Sequence, residues 1–167
     1  GKKRTLALLK RYKDINMIWA ANDAMAMGAY DGVKESNYNQ KVTVGGLGGF
    51  PDTLESIKQG GMNITVGGHL MIGGWAMVLI HDYHFGLDFI DDLGSNNAID
   101  HLTTIDTAKK AEQYEQLLIR HANKIDFTKF SKKTNPNIKN YDFSYEKVIQ
   151  ASEFKEPTID EKPAMPK

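Results

Sequence analysis

No cysteine occurs among the 167 residues, which excludes a disulfide framework and any thiolate metal site and leaves the redox compartment open. Charge of one sign is missing as well. The 21 lysines and arginines balance 21 aspartates and glutamates, so no net field draws the chain to nucleic acid or to an anionic membrane surface. Long apolar runs are absent: the strongest, Gly73 to Ile80, gives way to His81 and Asp82 and is too short to span a bilayer. Proline is sparse, and three of the 5 prolines fall in Glu153–Lys167, a charged stretch that reads as a loose tail. The opening Gly-Lys-Lys-Arg has neither an initiator methionine nor the apolar core of a signal peptide, and is read as a point inside a longer polypeptide. There is no internal repeat.

What is present suffices for one domain, with 41% hydrophobic residues available for a core. A short basic amphipathic helix is expected from about Lys3 to Tyr12, carrying Leu6, Leu8 and Leu9. The apolar run Met17–Ala21 reads as a buried strand with Trp19 in the core. It stops at Asn22-Asp23, where Asp23 is placed to cap a helix reaching Glu35. Val42–Val44 reads as the next strand, closed by the glycines from Gly45 to Gly49. Pro51 suits the first turn of a helix over about Asp52–Gln59, which Gly60-Gly61 should stop before a strand at Asn63–Val66. An apolar helix then runs from Ile72 to about Phe85, a further strand lies at Leu102–Ile105, and a helix covers Thr107 to about His121. Phe127, Phe130, Tyr141, Phe143 and Tyr145 mark a packed but irregular extension. Strands alternating with short helices give an α/β class, a parallel sheet with flanking helices.

In an open parallel sheet, ligands collect at the carboxyl ends of the strands. Three such ends are legible, and they supply the candidate ligand-binding residues Asn22, Asp23, Gly48, Gly49, Phe50, Gly68 and His69. An amide such as Asn22 both donates and accepts, as a sugar hydroxyl does. Glycines admit close main-chain approach, and Phe50 offers cover for an apolar sugar face. Each position has a plainer reading beside this one: Asn22 or Asp23 as a helix cap, Gly48 and Gly49 as turn glycines, His69 as a hinge or packed histidine.

The run Met17-Ile-Trp-Ala-Ala-Asn-Asp-Ala-Met-Ala-Met-Gly-Ala29 resembles the strand-to-helix signature of ribose-type periplasmic binding proteins (type I) and of the related lactose-repressor effector domains. The likeness continues through Val44–Asp52 and Leu54–Gly60, and Ile64–Trp75 falls where that family has its ligand-site strand and a crossing between lobes. It covers about the first ninety residues. The resemblance implies two α/β lobes that enclose a sugar, with this chain as a carboxy-terminal portion. Residues 1–68 would form the second-lobe core. Residues 69–101 would be a crossover and an apolar helix that packs on a first lobe missing from this chain. Residues 102–150 would return to the second lobe, and 151–167 would be a flexible tail. Asn22 matches a ligand-contacting asparagine, and Gly68, or His69 one position on, falls near a ligand-contacting glutamine. Where ribose binders have Gly-Phe-Asp-Gly, this chain reads Gly46-Leu47-Gly48-Gly49, so a carboxylate acceptor is absent and unmodified ribose recognition is not expected.

The implied function is a periplasmic solute-binding component for a sugar or sugar-like ligand, serving a membrane permease or a sensor kinase. The alternative is the effector-binding domain of a lactose-repressor-like regulator. No enzyme is expected, and no cofactor, metal or nucleic-acid partner. Gly46–Pro51 has proline where a dinucleotide fingerprint needs its third glycine. His81 and His84 read as the rim of a packing helix, and Asp88, Asp91 and Asp92 lack calcium-loop spacing. Trp75, Val78, Leu79 and Tyr83 form a stripe that must be buried. The expectation is self-association of this chain along that stripe, with folding back on its own lobe as the other outcome.

Overall fold

The structure is a computed structural model in which residues 1–94 and 102–152 are described. Residues 153–167 of the expected tail and 95–101 of the crossover segment lie outside them. Four strands form one sheet in the order β1-β2-β3-β4, namely β1 (Met17–Trp19), β2 (Thr43–Leu47), β3 (Ile64–Gly67) and β4 (Thr103–Ile105). The first three are parallel, with Trp19 beside Gly45 and Gly45 beside Ile64, whereas β4 is antiparallel to β3 through Thr65–Ile105 and Gly67–Thr103. An antiparallel edge on a parallel sheet needs no crossover of its own hand, and it is the one departure from the parallel expectation.

Helices α1 (Lys2–Arg11), α2 (Asp23–Glu35) and α3 (Pro51–Lys58) fall within two residues of their expected bounds. Helix α2 turns Ala26, Ala29 and Gly32 inward at three-residue spacing. These small residues let α1 lie close: a methyl group on Gly32 would sit 3.0 Å from the Lys2 carbonyl oxygen and 3.1 Å from Thr5. Two glycines in a helix cost about 1 kcal/mol each, and the close helix pair offsets that. Gly60, at φ 73°, stops α3 in the left-handed conformation expected of it.

Strand β2 runs three residues past its expected end at Val44, to Leu47, because Gly45 and Gly46 are strand residues packed against neighbours on opposite faces of the sheet. A side chain at Gly45 would meet the Trp19 ring at 2.7 Å, and one at Gly46 would meet Ala26 at 2.8 Å. Trp19 itself corrects the core reading. It lies on edge strand β1 with its ring over Gly45, and it is 53% exposed. Asp23 is not the cap of α2 either: Asn22 is, with its side-chain oxygen accepting from the Met25 N–H.

The helix expected at Thr107–His121 divides into α6 (Ala108–Tyr114) and a π-helical stretch, Glu115–Arg120. Lys58 on α3 reaches Glu112 and Glu115, and Arg120 also bonds Glu115. Burial pushes the Glu115 carboxyl up, but the bonds from Lys58 and Arg120 outweigh it and hold the group below its ordinary value. This network locks α6 against α3 beneath the sheet.

After β3 a 3₁₀ turn, His69–Met71, opens α4 (Ile72–His84), and a short helix α5 (Ile90–Leu93) follows. Trp75, Val78 and Leu79 are buried against the chain's own extension, so folding back describes these three residues. The Trp75 ring stacks on Phe143 at 4.7 Å and meets Phe127 and Phe130 edge-on at 5.1 and 4.9 Å. Asp82, also buried, fastens the same union by accepting from Ser131 Oγ, Lys132 N and Tyr141 Oη. Burial alone would push its carboxyl up. The bonds from Ser131, His81, Tyr141 and Lys132 prevail and hold it below the usual value. Tyr83 parts from the expected stripe and stays exposed with Ile72, Met77 and Ile80. Helix α7 (Tyr145–Ala151) ends the described chain, with Tyr145 stacked on Tyr114.

Candidate ligand-binding site

The parallel register of β1, β2 and β3 sets the loops that follow them side by side. The strand bonds persist to the rim, with Ala20 N donating to Gly45 O at 2.9 Å and Gly48 N donating to Val66 O at 2.8 Å. Asn22-Asp23, Gly48-Gly49-Phe50 and Gly68-His69 therefore share one edge of the sheet, which is the convergence expected from the sequence.

Asn22 is exposed, and its Oδ1 accepts from Met25 N at 2.9 Å. The cap takes up one lone pair of the amide oxygen; the NH2 group faces away from that bond and is available to a ligand. Asp23 differs, being 1% exposed. Its Oδ1 accepts from Thr65 Oγ1 at 2.6 Å and its Oδ2 accepts from Phe50 N at 3.1 Å. A buried carboxylate is tolerated when its oxygens are so engaged, and this one pins the loop after β2 to the start of α2.

Gly48 lies between that carboxylate and the Phe50 ring: a Cβ there would come 2.9 Å from Asp23 Cγ and 2.8 Å from Phe50 Cδ2. Gly49, at φ 68°, needs the left-handed region. The Phe50 ring is 46% exposed and meets the His69 ring edge-on, with centroids 6.2 Å apart. The Nδ1 atom of His69 is shielded from solvent and has no hydrogen-bond partner among the described residues. Gly68, at φ 120°, donates its N–H to Tyr114 Oη at 2.8 Å.

Two residues that hold the site together were not anticipated. The Thr65 hydroxyl bridges Asp23 and the Gly49 N–H. Tyr114, without exposed surface, underlies both later loops: a Cβ on Gly49 would meet its ring at 2.8 Å, and one on Gly67 would meet its hydroxyl at 2.6 Å. The signal for Tyr114 was its place between Ala111 and Leu118 on one helix face, since a buried tyrosine needs a partner for its hydroxyl. The three loops carry no lysine or arginine. Among the described residues no group of three His, Asp or Glu side chains is placed to hold a metal ion. His81 instead bonds Asp82, and both His81 and His84 pack on Phe85. No helix among the described residues is long and apolar enough to cross a membrane.

Comparison with curated proteins gives no match. Among solved structures, the chain is similar to a periplasmic sugar-binding protein from Pseudomonas fluorescens, with 28% identity and a TM-score of 0.74 over 89% of this chain and 45% of that one. A solute-binding protein of an ABC transporter from Bacillus halodurans C-125, solved with myo-inositol, shares the fold at 23% identity and a TM-score of 0.53, over 69% of this chain and 38% of that one. The binding protein of the arabinose ABC transporter from Shewanella sp. ANA-3 does so at 22% identity and a TM-score of 0.51, over 73% and 40%. The chain thus spans less than half the length of each of these relatives. The periplasmic binding protein domain model matches residues 1–84, through all three loops and α4, and the chain belongs to that family.

Proposed function

We propose that this chain supplies one lobe of a periplasmic solute-binding protein, which encloses a sugar or sugar-like polar ligand between two lobes and delivers it to an ABC-type permease or reports it to a membrane sensor kinase. The observation that carries the reading is the meeting of Asn22, Phe50 and His69 at the carboxyl ends of three parallel strands. Asn22 offers its amide NH2, Phe50 an apolar surface and His69 the edge of its imidazole. Asp23, Gly48, Gly49 and Gly68 form the floor, where their part is to fix the loops and admit the ligand close to the main chain. These are the groups of a binding site: its one hydroxyl–carboxylate pair, Thr65 with Asp23, is buried beneath the loops, and the reading is of binding without catalysis.

The first lobe, outside this chain, accounts for the exposed face of α4. Residues 1–68 act as the lobe core, α4 crosses, and Ile72, Met77, Ile80 and Tyr83 pack on the other lobe. Gly68 lies at the crossing and permits hinge motion there. Small-angle scattering of the full-length protein tests the scheme. A sugar that raises its melting temperature should also reduce its radius of gyration; an unchanged radius at saturation would overturn closure between lobes.

A further inference from the structure

The polar groups of the site are unusual in what they cannot do. Adjacent sugar hydroxyls are bound well by an acceptor with several free lone pairs, above all a carboxylate. The Asp23 carboxylate is committed beneath the loops to Thr65 and the Phe50 N–H, and position 48 has no room for a side chain of its own. The space is filled instead by the Phe50 ring, which is half in solvent and braced edge-on by His69. Ring and imidazole together make an apolar platform; Nδ1 of His69 is shielded within the fold, which leaves Nε2 as the imidazole nitrogen open to a ligand.

We propose, resting on the sugar-binding reading above, that Phe50, braced by His69, is the specificity determinant of this lobe and selects a ligand that turns a C–H-rich face toward it. A deoxy sugar is the class that fits. A C–H-rich face on an aromatic ring keeps its dispersion contact and leaves no hydroxyl stranded, whereas a hydroxyl forced onto Phe50 loses its water and finds no acceptor. His69 takes one hydrogen bond from, or gives one to, the ligand's nearest oxygen.

Calorimetric titration of the full-length protein with matched pairs tests this: L-fucose against L-galactose, D-fucose against D-galactose, and L-rhamnose against L-mannose. Each pair differs only in the hydroxyl at C6. The expected result is that the deoxy member of at least one pair binds about 10- to 100-fold tighter, the range an apolar surface achieves against an added hydroxyl. Phe50→Ala should bring that ratio close to one, and His69→Ala should weaken both members alike. Phe50→Tyr, which keeps the ring, should retain the preference. Phe50→Leu serves as a second ring-free variant should the alanine protein unfold. Binding with no preference for the deoxy member, or with a preference that survives loss of the ring, overturns the platform and leaves the sugar-binding reading standing. Binding of none of the six sugars overturns the platform, and the sugar-binding reading falls with it if a pentose set also leaves the melting temperature unchanged.

Discussion

Tyr114→Phe removes one oxygen atom from beneath the site and leaves the rest of the ring in place. The ring still packs under Gly49 and Gly67, but the Gly68 N–H, held at 2.8 Å by the hydroxyl, loses its partner in a buried position. An unsatisfied buried donor costs about 1–3 kcal/mol. For a chain of this length that corresponds to a fall in Tm of roughly 3–10 °C. Gly67→Ala attacks the same contact from the other side, since its Cβ would fall 2.6 Å from the hydroxyl, and overpacking of this kind costs about 1–3 kcal/mol. The two substitutions should couple, because phenylalanine removes the nearest of the three atoms the alanine strikes, leaving Cζ at 2.7 Å and Cε2 at 2.9 Å, and because both changes disturb the same bond to the Gly68 N–H. Urea unfolding of the wild type, both single variants and the double variant measures the cycle. The double variant should be more stable than the sum of the single effects predicts, by at least about 0.5 kcal/mol. Additive effects, or a Tyr114→Phe protein as stable as the wild type, would refute the assignment of Tyr114 as the prop beneath the Gly68 turn.

Other substitutions reach the remaining parts of the account. Asn22→Ala should cost about 1 kcal/mol of stability through the lost cap of α2 and, in the full-length protein, weaken sugar binding by about 1–3 kcal/mol; Asn22→Ser should keep the stability and still lose affinity, as calorimetry and thermal melts would show. Trp75→Ala removes the ring around which Phe127, Phe130 and Phe143 gather and should destabilise the chain by about 3–5 kcal/mol in urea unfolding. Because the Asp82 carboxyl is held below its unfolded value of about 3.9, its contribution is fully present above that pH and is lost as pH falls through the lower folded value. The packing of α4 on the extension should therefore loosen in acid. Asp82→Asn should flatten this dependence below about pH 4, followed by tryptophan fluorescence.

The first half of the chain was legible because its elements carry their own punctuation. Asn22 at the head of α2, Pro51 in the first turn of α3 and Gly60 at its end each act through local backbone chemistry. The three loops of the site could be placed for the same reason, since strand ends and helix starts fix them without knowledge of the core. What could not be read depends on partners distant in sequence. Trp19 looks like a core residue in an apolar run, and only the sheet order puts β1 at an edge. Gly45 and Gly46 look like a turn until Trp19 and Ala26 are seen packed on their two faces. Asp23 reads as a cap by spacing, yet its bonds run to Thr65 and Phe50, 42 and 27 residues away. The destination of α4's stripe was equally hidden, because the aromatics that receive Trp75 lie in a segment with no regular periodicity.

The central claim, that a sugar is bound where the first three strands end, is tested most directly by hydrogen exchange mapped along the full-length protein. The comparison is between the protein alone and the protein saturated with whichever sugar of a pentose, hexose and deoxyhexose set stabilises it most. Within this chain the account predicts that slowed exchange is concentrated in the amides of the three loops around Asn22, Phe50 and His69, with smaller changes along α4 as the lobes close. Protection elsewhere in the chain with these loops unchanged, or no protection at saturation, would contradict it.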